Sequence, residues 1–356
     1  MVRHSEPVKK YLDRLYREDR REFACRAKTP AEFADWQNPA RDTLRTLLGI
    51  DRIAEEVAGY EVVADISPDR EGMDGYHRRR GWIETEPGVR QRLWLLKPEG
   101  DGPFPLAVTP HGHEDGDTYA GIWHDEGSRK KIENEDQDVA VQAVKRGFLT
   151  IAPATRGIGA NPNSFKIEDI ANRHGGQDCL CHNWQVILTG RSMMGERVWD
   201  LMKILDWALG LPDVDGGTVL LTGNSGGGMA TMHTAAVDDR VTMAVPCCSY
   251  NNYISPHGTM RHCPCNAIPG IFDFGEYWDV AGLVAPRHLL TINGKLDSLH
   301  PVEEVDHAVS RLRAIYAASG YSDRYDHRFG DGGHRFFADL MWPWVGDGII
   351  LATARR

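Results

Sequence analysis

The chain has 356 residues, 41% of them apolar and 26% charged, a balance that suits one elaborated globular α/β domain. A net charge of −10 leaves no basic stripe for a large nucleic-acid footprint, and no run of about 18 apolar residues is present to cross a membrane. The seven cysteines are an odd number in a long chain and do not read as a disulfide framework.

The first residues are polar, with no apolar stretch ahead of a small-residue cleavage site, so the expectation is a cytoplasmic protein. Val8 to Arg21 is charged and reads as helix. Thr29-Pro30-Ala31-Glu32 has the form of a capping box with proline at the first helical position, opening a helix that runs to Leu48 and stops at Gly49. Residues 1–60 are expected to form a helical N-terminal extension on a catalytic domain of residues 61–356. Trp82 to Thr85 and Val89 to Leu96 flank Glu86-Pro87-Gly88 and read as a hairpin. Pro105 to Thr109 is a third strand, and a helix from Asp138 to Arg146 leads to a strand from Phe148 to Ala152.

Met194, Val198, Leu201, Leu205 and Ala208 recur at three- and four-residue spacing, the mark of a helix from Met193 to Leu209. Pro212 and Asp215-Gly216-Gly217 end it before a strand from Thr218 to Thr222. Val241 to Val245 and His288 to Ile292 are short apolar runs of the kind buried on both faces of a parallel sheet. Strands alternating with helices predict an α/β fold with a mostly parallel central sheet, helices on both faces and the early hairpin as an antiparallel edge.

Gly223-Asn224-Ser225-Gly226-Gly227 fits G-x-S-x-G. The five residues alone are a weak signal, but an apolar strand stops just before them and a small-residue run follows as a helix start. That strand–turn–helix context is what a nucleophile elbow requires. A serine hydroxyl there needs a base, which in turn needs a carboxylate to fix its tautomer. Asp297 lies just past the strand that ends at Ile292, and is the expected acid, with Asp306 and Asp326 in reserve. His334, in the glycine-rich Gly330-Asp331-Gly332-Gly333 loop, is the expected base. His257, His262, His288, His300, His307 and His327 are the other downstream histidines; His300 and His307 fall too close to Asp297 in sequence. The oxyanion donors are expected to be the backbone N–H groups of Gly226 and of His113, in the loop after the third strand.

These blocks resemble the acetyl xylan esterase-like branch of the α/β hydrolases, near the dienelactone-hydrolase group. The resemblance is carried by His111-Gly112-His113, by Trp199-Asp200 leading to Thr222-Gly223-Asn224-Ser225-Gly226-Gly227-Gly228, by His262-Cys263-Pro264-Cys265-Asn266 with Pro269-Gly270, by Ala285-Pro286-Arg287, by Asn293-Gly294-Lys295-Leu296-Asp297 and by Gly333-His334. It implies an α/β-hydrolase fold, a Ser225–His334–Asp297 triad and hydrolysis of small acyl esters, acetyl esters of sugars among them, without a cofactor. A serine peptidase of the prolyl-oligopeptidase type shares the triad order but usually carries a propeller, and this chain has no repeated blades. A silent hydrolase fold used for binding is the other alternative, although no triad member is missing.

Tyr250, Tyr253 and Trp278, with Ile254, Phe272 and Phe274, are candidates for lining an acyl or alcohol pocket. No metal site is expected. His111, His113, Asp115, Asp117 and His124 are strung along one loop rather than converging from fixed elements. Cys179-Leu180-Cys181 and Cys263-Pro264-Cys265 have a C-x-C spacing tighter than structural zinc usually shows, so they read as cysteines supporting the rim of the site, although the two pairs could build a four-cysteine site if they met. Arg156 reads as a structural anchor. The expected partner is a small ester; oligomeric state is not legible.

Overall fold

The computed structural model describes residues 5–158, 178–255 and 260–353. Its strands are β1 (Val63–Ile66), β2 (Glu71–Gly72), β3 (Tyr76–Glu86), β4 (Val89–Pro98), β5 (Phe104–Val108), β6 (Leu149–Pro153), β7 (Val214–Asn224), β8 (Met243–Cys247), β9 (His288–Gly294) and β10 (Tyr325–Gly330). They form one sheet in the order β1-β3-β4-β6-β5-β7-β8-β9-β10, with β2 paired to β3. From β6 to β10 every pairing is parallel; β4 meets β6, and β3 meets its neighbours, antiparallel.

Alternation along each strand builds two cores, because successive side chains point to opposite faces. Leu106 and Val108 of β5, Val219 and Leu221 of β7, and Leu289 of β9 enter one core. Ala107, Leu220 and Leu290, one residue out of phase, enter the other. Helices Met193–Ala208, Gly226–Val237 and Val302–Ser319 supply the first core, and helices Val139–Val144 and Ala338–Thr353 the second.

The helix expected from Thr29 spans Pro30–Leu48: the Thr29 hydroxyl accepts from the Glu32 N–H, and Gly49 closes it at φ 80°. Its Phe33, Ala40, Leu44 and Leu48 are buried in the first core. The hairpin forms as expected but is longer, and β7 begins at Val214, ahead of the expected glycine turn. β8 begins at Met243 rather than Val241.

Arg156 takes a structural role. It is almost completely buried, and its guanidinium donates to Asp200 from Nε (2.9 Å) and to Glu86 from Nη1 (2.7 Å). Arg191 meets the other oxygen of Glu86 at 2.8 Å, and His182 meets Glu196 at 2.9 Å. The network ties the β3–β4 turn to the end of β6 and to helix Met193–Ala208.

Candidate active site

Between β7 and helix Gly226–Val237 stands Ser225 alone, at φ 54° and ψ −122°. A side-chain-bearing residue rarely takes a positive φ, and such strain concentrates at functional sites. The surroundings hold it there: the Ser225 N–H donates to the carbonyl of Cys247 at 2.9 Å, and its own carbonyl accepts from Met229 at 3.0 Å. The helix that follows is buried along its whole length, and its unpaired N–H groups face the turn.

The loop after β5 lies directly on this turn. A β-carbon on Gly227 would stand 2.1 Å from the Pro110 carbonyl oxygen, and one on Gly112 would stand 2.9 Å from the Gly226 nitrogen. Close approach of backbone to backbone is the reason for glycine at both positions. His111 pins the loop from behind: its Nε2 accepts the Thr155 N–H at 2.8 Å, and its carbonyl accepts the Thr155 hydroxyl at 2.6 Å.

Asp297 and His334 follow adjacent strands. β9 and β10 run parallel with Gly294 opposite Gly330, so the two loops leave the sheet side by side. The Lys295 N–H donates to the Gly330 carbonyl (3.0 Å) and the Leu296 N–H to that of Gly332 (2.8 Å). His334 Nδ1 lies 2.7 Å from Asp297 Oδ2. The Asp297 carboxylate is fully buried, while the His334 ring remains partly open. Burial alone would push the Asp297 carboxyl up, but hydrogen bonds from His300 and His334 outweigh it and hold the group below its ordinary range. Burial would lower His334; the bond to Asp297 and its negative charge reverse that and hold it above its ordinary value.

The His334 loop is linked to the elbow through the end of β8. Cys247 accepts the Ser225 N–H, and the next residue, Cys248, donates its thiol to the Arg335 carbonyl at 3.1 Å. Cys248 itself has φ 44°. The structure thus brings Ser225, Asp297, His334, Gly226 and the His113 loop to one sheet edge.

Two neighbours were not legible in the sequence. His300 places Nδ1 3.1 Å from the same oxygen of Asp297 that His334 uses, and burial lowers it, so it is a neutral donor. Proximity to Asp297, which argued against it as the base, is what suits it to hold the carboxylate. Glu114 accepts from the Asn224 side chain at 3.2 Å, just before the elbow.

Tyr250, Tyr253 and Trp278 are placed differently from the expectation of a pocket lining. All three are buried in the first core. The Tyr250 hydroxyl donates to Ala308 (2.9 Å), and that of Tyr253 pairs with His233 (3.0 Å). The polar tips of the two tyrosines are satisfied inside the protein. Of the downstream histidines, His257 lies outside the described residues.

The cysteine pairs also differ from expectation. Cys179, Cys263 and Cys265 converge on the ring of His113, while Cys181 is not in the group. Asp115, Asp117 and His124 do cluster, but Asp117 is already engaged by the Trp94 indole and by His124, and Asp115 caps the next turn.

No family model matches the chain. YtaP of Bacillus subtilis, which carries a provisional hydrolase name, is 27% identical over 240 residues, 65% of this chain and 74% of that protein. A Bacteroides fragilis protein provisionally named an acetyl xylan esterase superposes with a TM-score of 0.73 at 16% identity, over 97% of this chain and 95% of that one. A glucuronoyl esterase from Solibacter usitatus gives 0.63 at 15% identity, over 92% of this chain and 96% of that one. The protein has the α/β-hydrolase fold of these structures.

Proposed function

We propose that the protein is a serine esterase acting on small acyl esters, acetyl esters foremost. The observation that carries this reading is the 2.7 Å contact between Asp297 and His334, in loops that meet the elbow holding Ser225 at φ 54°. The hydrolase and esterase names of the similar proteins support the reaction class.

In this reading Ser225 Oγ attacks the ester carbonyl while His334 Nε2 takes its proton. Asp297 accepts from Nδ1, fixes the tautomer and stabilises the imidazolium that forms. The backbone N–H groups of Gly226 and His113 receive the tetrahedral oxyanion. His334 then protonates the leaving alkoxide. Water, deprotonated by the same histidine, releases the acid from the acyl-enzyme and restores Ser225. An acetylated carbohydrate is the natural substrate class to try, since one similar structure is named an acetyl xylan esterase.

The test is turnover of a p-nitrophenyl ester series, acetate through octanoate, by wild type and Ser225→Ala, with a fluorophosphonate label at Ser225. Acetate preference, labelling of wild type and loss of both in the variant are the expected results. Folded wild type that turns over no ester refutes the esterase reading, and absence of labelling refutes the nucleophile.

A further inference from the structure

His113, Cys179, Cys263 and Cys265 come from three separate segments: the loop after β5, helix Asp178–Ile187, and the turn at Pro264–Asn266. Their ligand atoms all lie within 4.8 Å of one another. Cys179 Sγ is 3.4 Å from His113 Nε2 and 3.9 Å from Cys263 Sγ, and Cys265 Sγ is 3.8 Å from the same nitrogen. A tetrahedral zinc with Zn–S of about 2.3 Å and Zn–N of about 2.0 Å sets its ligands about 3.8 Å apart for two sulfurs and about 3.5 Å for sulfur and nitrogen. The observed spacings match those edges. They do not match a disulfide, whose sulfurs stand about 2.05 Å apart, and all these cysteines are free.

Chemistry and surroundings select the ion. Three soft thiolates and one imidazole suit zinc and exclude magnesium or calcium, which take oxygen. Three thiolates around a divalent ion leave one net negative charge. The buried Arg197 supplies the compensating positive charge, with Nη1 and Nη2 each 3.5 Å from Cys265 Sγ. Arg197 Nη1 is itself oriented by Asn266 Oδ1 at 2.9 Å, and the Asn183 amide donates to the Pro264 carbonyl at 3.2 Å, joining the turn to the helix. Such outer partners are what orient ligands in a built metal site.

We propose that His113, Cys179, Cys263 and Cys265 bind one zinc ion in a closed, structural Cys3His site. Binding takes the three thiol protons into solvent and leaves His113 neutral, with Nε2 on the metal and the proton on Nδ1. The ion staples the loop that lies on the elbow to the Pro264–Asn266 turn and to helix Asp178–Ile187. His113 Nδ1 is 3.9 Å from where a β-carbon on Gly226 would stand, so the staple acts next to the proposed oxyanion hole while taking no part in the chemistry: four protein ligands leave no open position.

The site is tested on full-length wild type purified without a polyhistidine tag, by metal analysis and by zinc titration of chelator-treated protein. The expected result is one zinc per chain that survives gel filtration. Cobalt exchange should give the visible bands of tetrahedral Co2+ with sulfur-to-cobalt charge transfer. Zinc should protect Cys179, Cys263 and Cys265 from alkylation. Cys179→Ser with Cys265→Ser should lose the metal, and Cys181→Ser should retain it. Wild type that neither carries nor takes up zinc, with the three thiols alkylated equally in its presence, overturns the proposal, as does loss of zinc from Cys181→Ser. These readouts need no ester turnover, so failure of the esterase reading would leave them unaffected.

Discussion

Gly227→Ala tests whether the loop on the elbow is positioned as the chemistry requires. The new β-carbon would stand 2.1 Å from the Pro110 carbonyl oxygen and 2.9 Å from the His111 carbonyl carbon, against a practical minimum of 3.0 Å. The loop must therefore open by about 0.9 Å, the difference between 3.0 and 2.1 Å. A backbone oxygen cannot rotate aside, and the loop is pinned through His111 to Thr155. Overpacking of this kind costs about 1–3 kcal/mol, offset in part by about 0.5–1 kcal/mol from replacing a helical glycine. The opening carries the His113 N–H away from Gly226, and a misplacement of about 1 Å can cost about 100-fold in rate. The expected outcome is kcat for p-nitrophenyl acetate reduced about 10- to 100-fold, with a modest drop in the urea midpoint. Gly346→Ala is the control, because its β-carbon meets nothing within 4 Å; it should keep wild-type kcat. A Gly227→Ala variant with wild-type kcat and midpoint would refute the placement of this loop as part of the site.

Three further outcomes follow from charge and burial. Arg156→Leu strips the guanidinium from Glu86, Asp200 and Glu196, all buried; Arg191 still faces Glu86 and Glu196, but the buried Asp200 loses its cation, which should lower stability at neutral pH by about 3–5 kcal/mol in urea unfolding, and a loss below about 1 kcal/mol would contradict the network. His334 must be neutral to accept a proton, and Asp297 holds it above its ordinary value, so kcat/KM should fall as pH drops through a pKa above about 6.5. His300→Phe removes one of the two imidazole donors on Asp297 Oδ2, leaving that oxygen to His334 while the Leu299 N–H keeps Oδ1; the acid limb should move to higher pH by up to about one unit. An unmoved pH profile would show that His300 does not tune the pair.

What could be read in advance was what is local in sequence. The elbow is a strand, five residues and a helix, and the Thr29 cap and Gly49 stop lie at the ends of one periodic segment. β10 was missed because Tyr325-Asp326-His327-Arg328 is polar: it is an edge strand, half-buried along most of its length, and edges tolerate charge. The aromatics Tyr250, Tyr253 and Trp278, buried in the core, read as pocket candidates because hydrophobicity is the same signal for a core as for a pocket. Only the internal partners of the two tyrosine hydroxyls tell them apart.

The metal-ligand cluster shows the limit most clearly. Spacing rules recognise a site when two ligands share a short loop, and here Cys263-x-Cys265 is the only such pair, at an atypical spacing. The other two ligands lie 84 residues before Cys263 and 152 before Cys265. In the sequence His113 reads as part of the loop beside the elbow, and Cys181 is as good a ligand as Cys179 by residue type. What separates these two cysteines is which side of helix Asp178–Ile187 each occupies: residues two apart do not share a helix face, so only one can meet the turn at Cys263. A C-x-C pair within a helix therefore cannot supply both its sulfurs to one ion as a pair within a turn can. The helix thereby turns the four-cysteine alternative into three cysteines and the histidine that stands beside the Ser225 elbow.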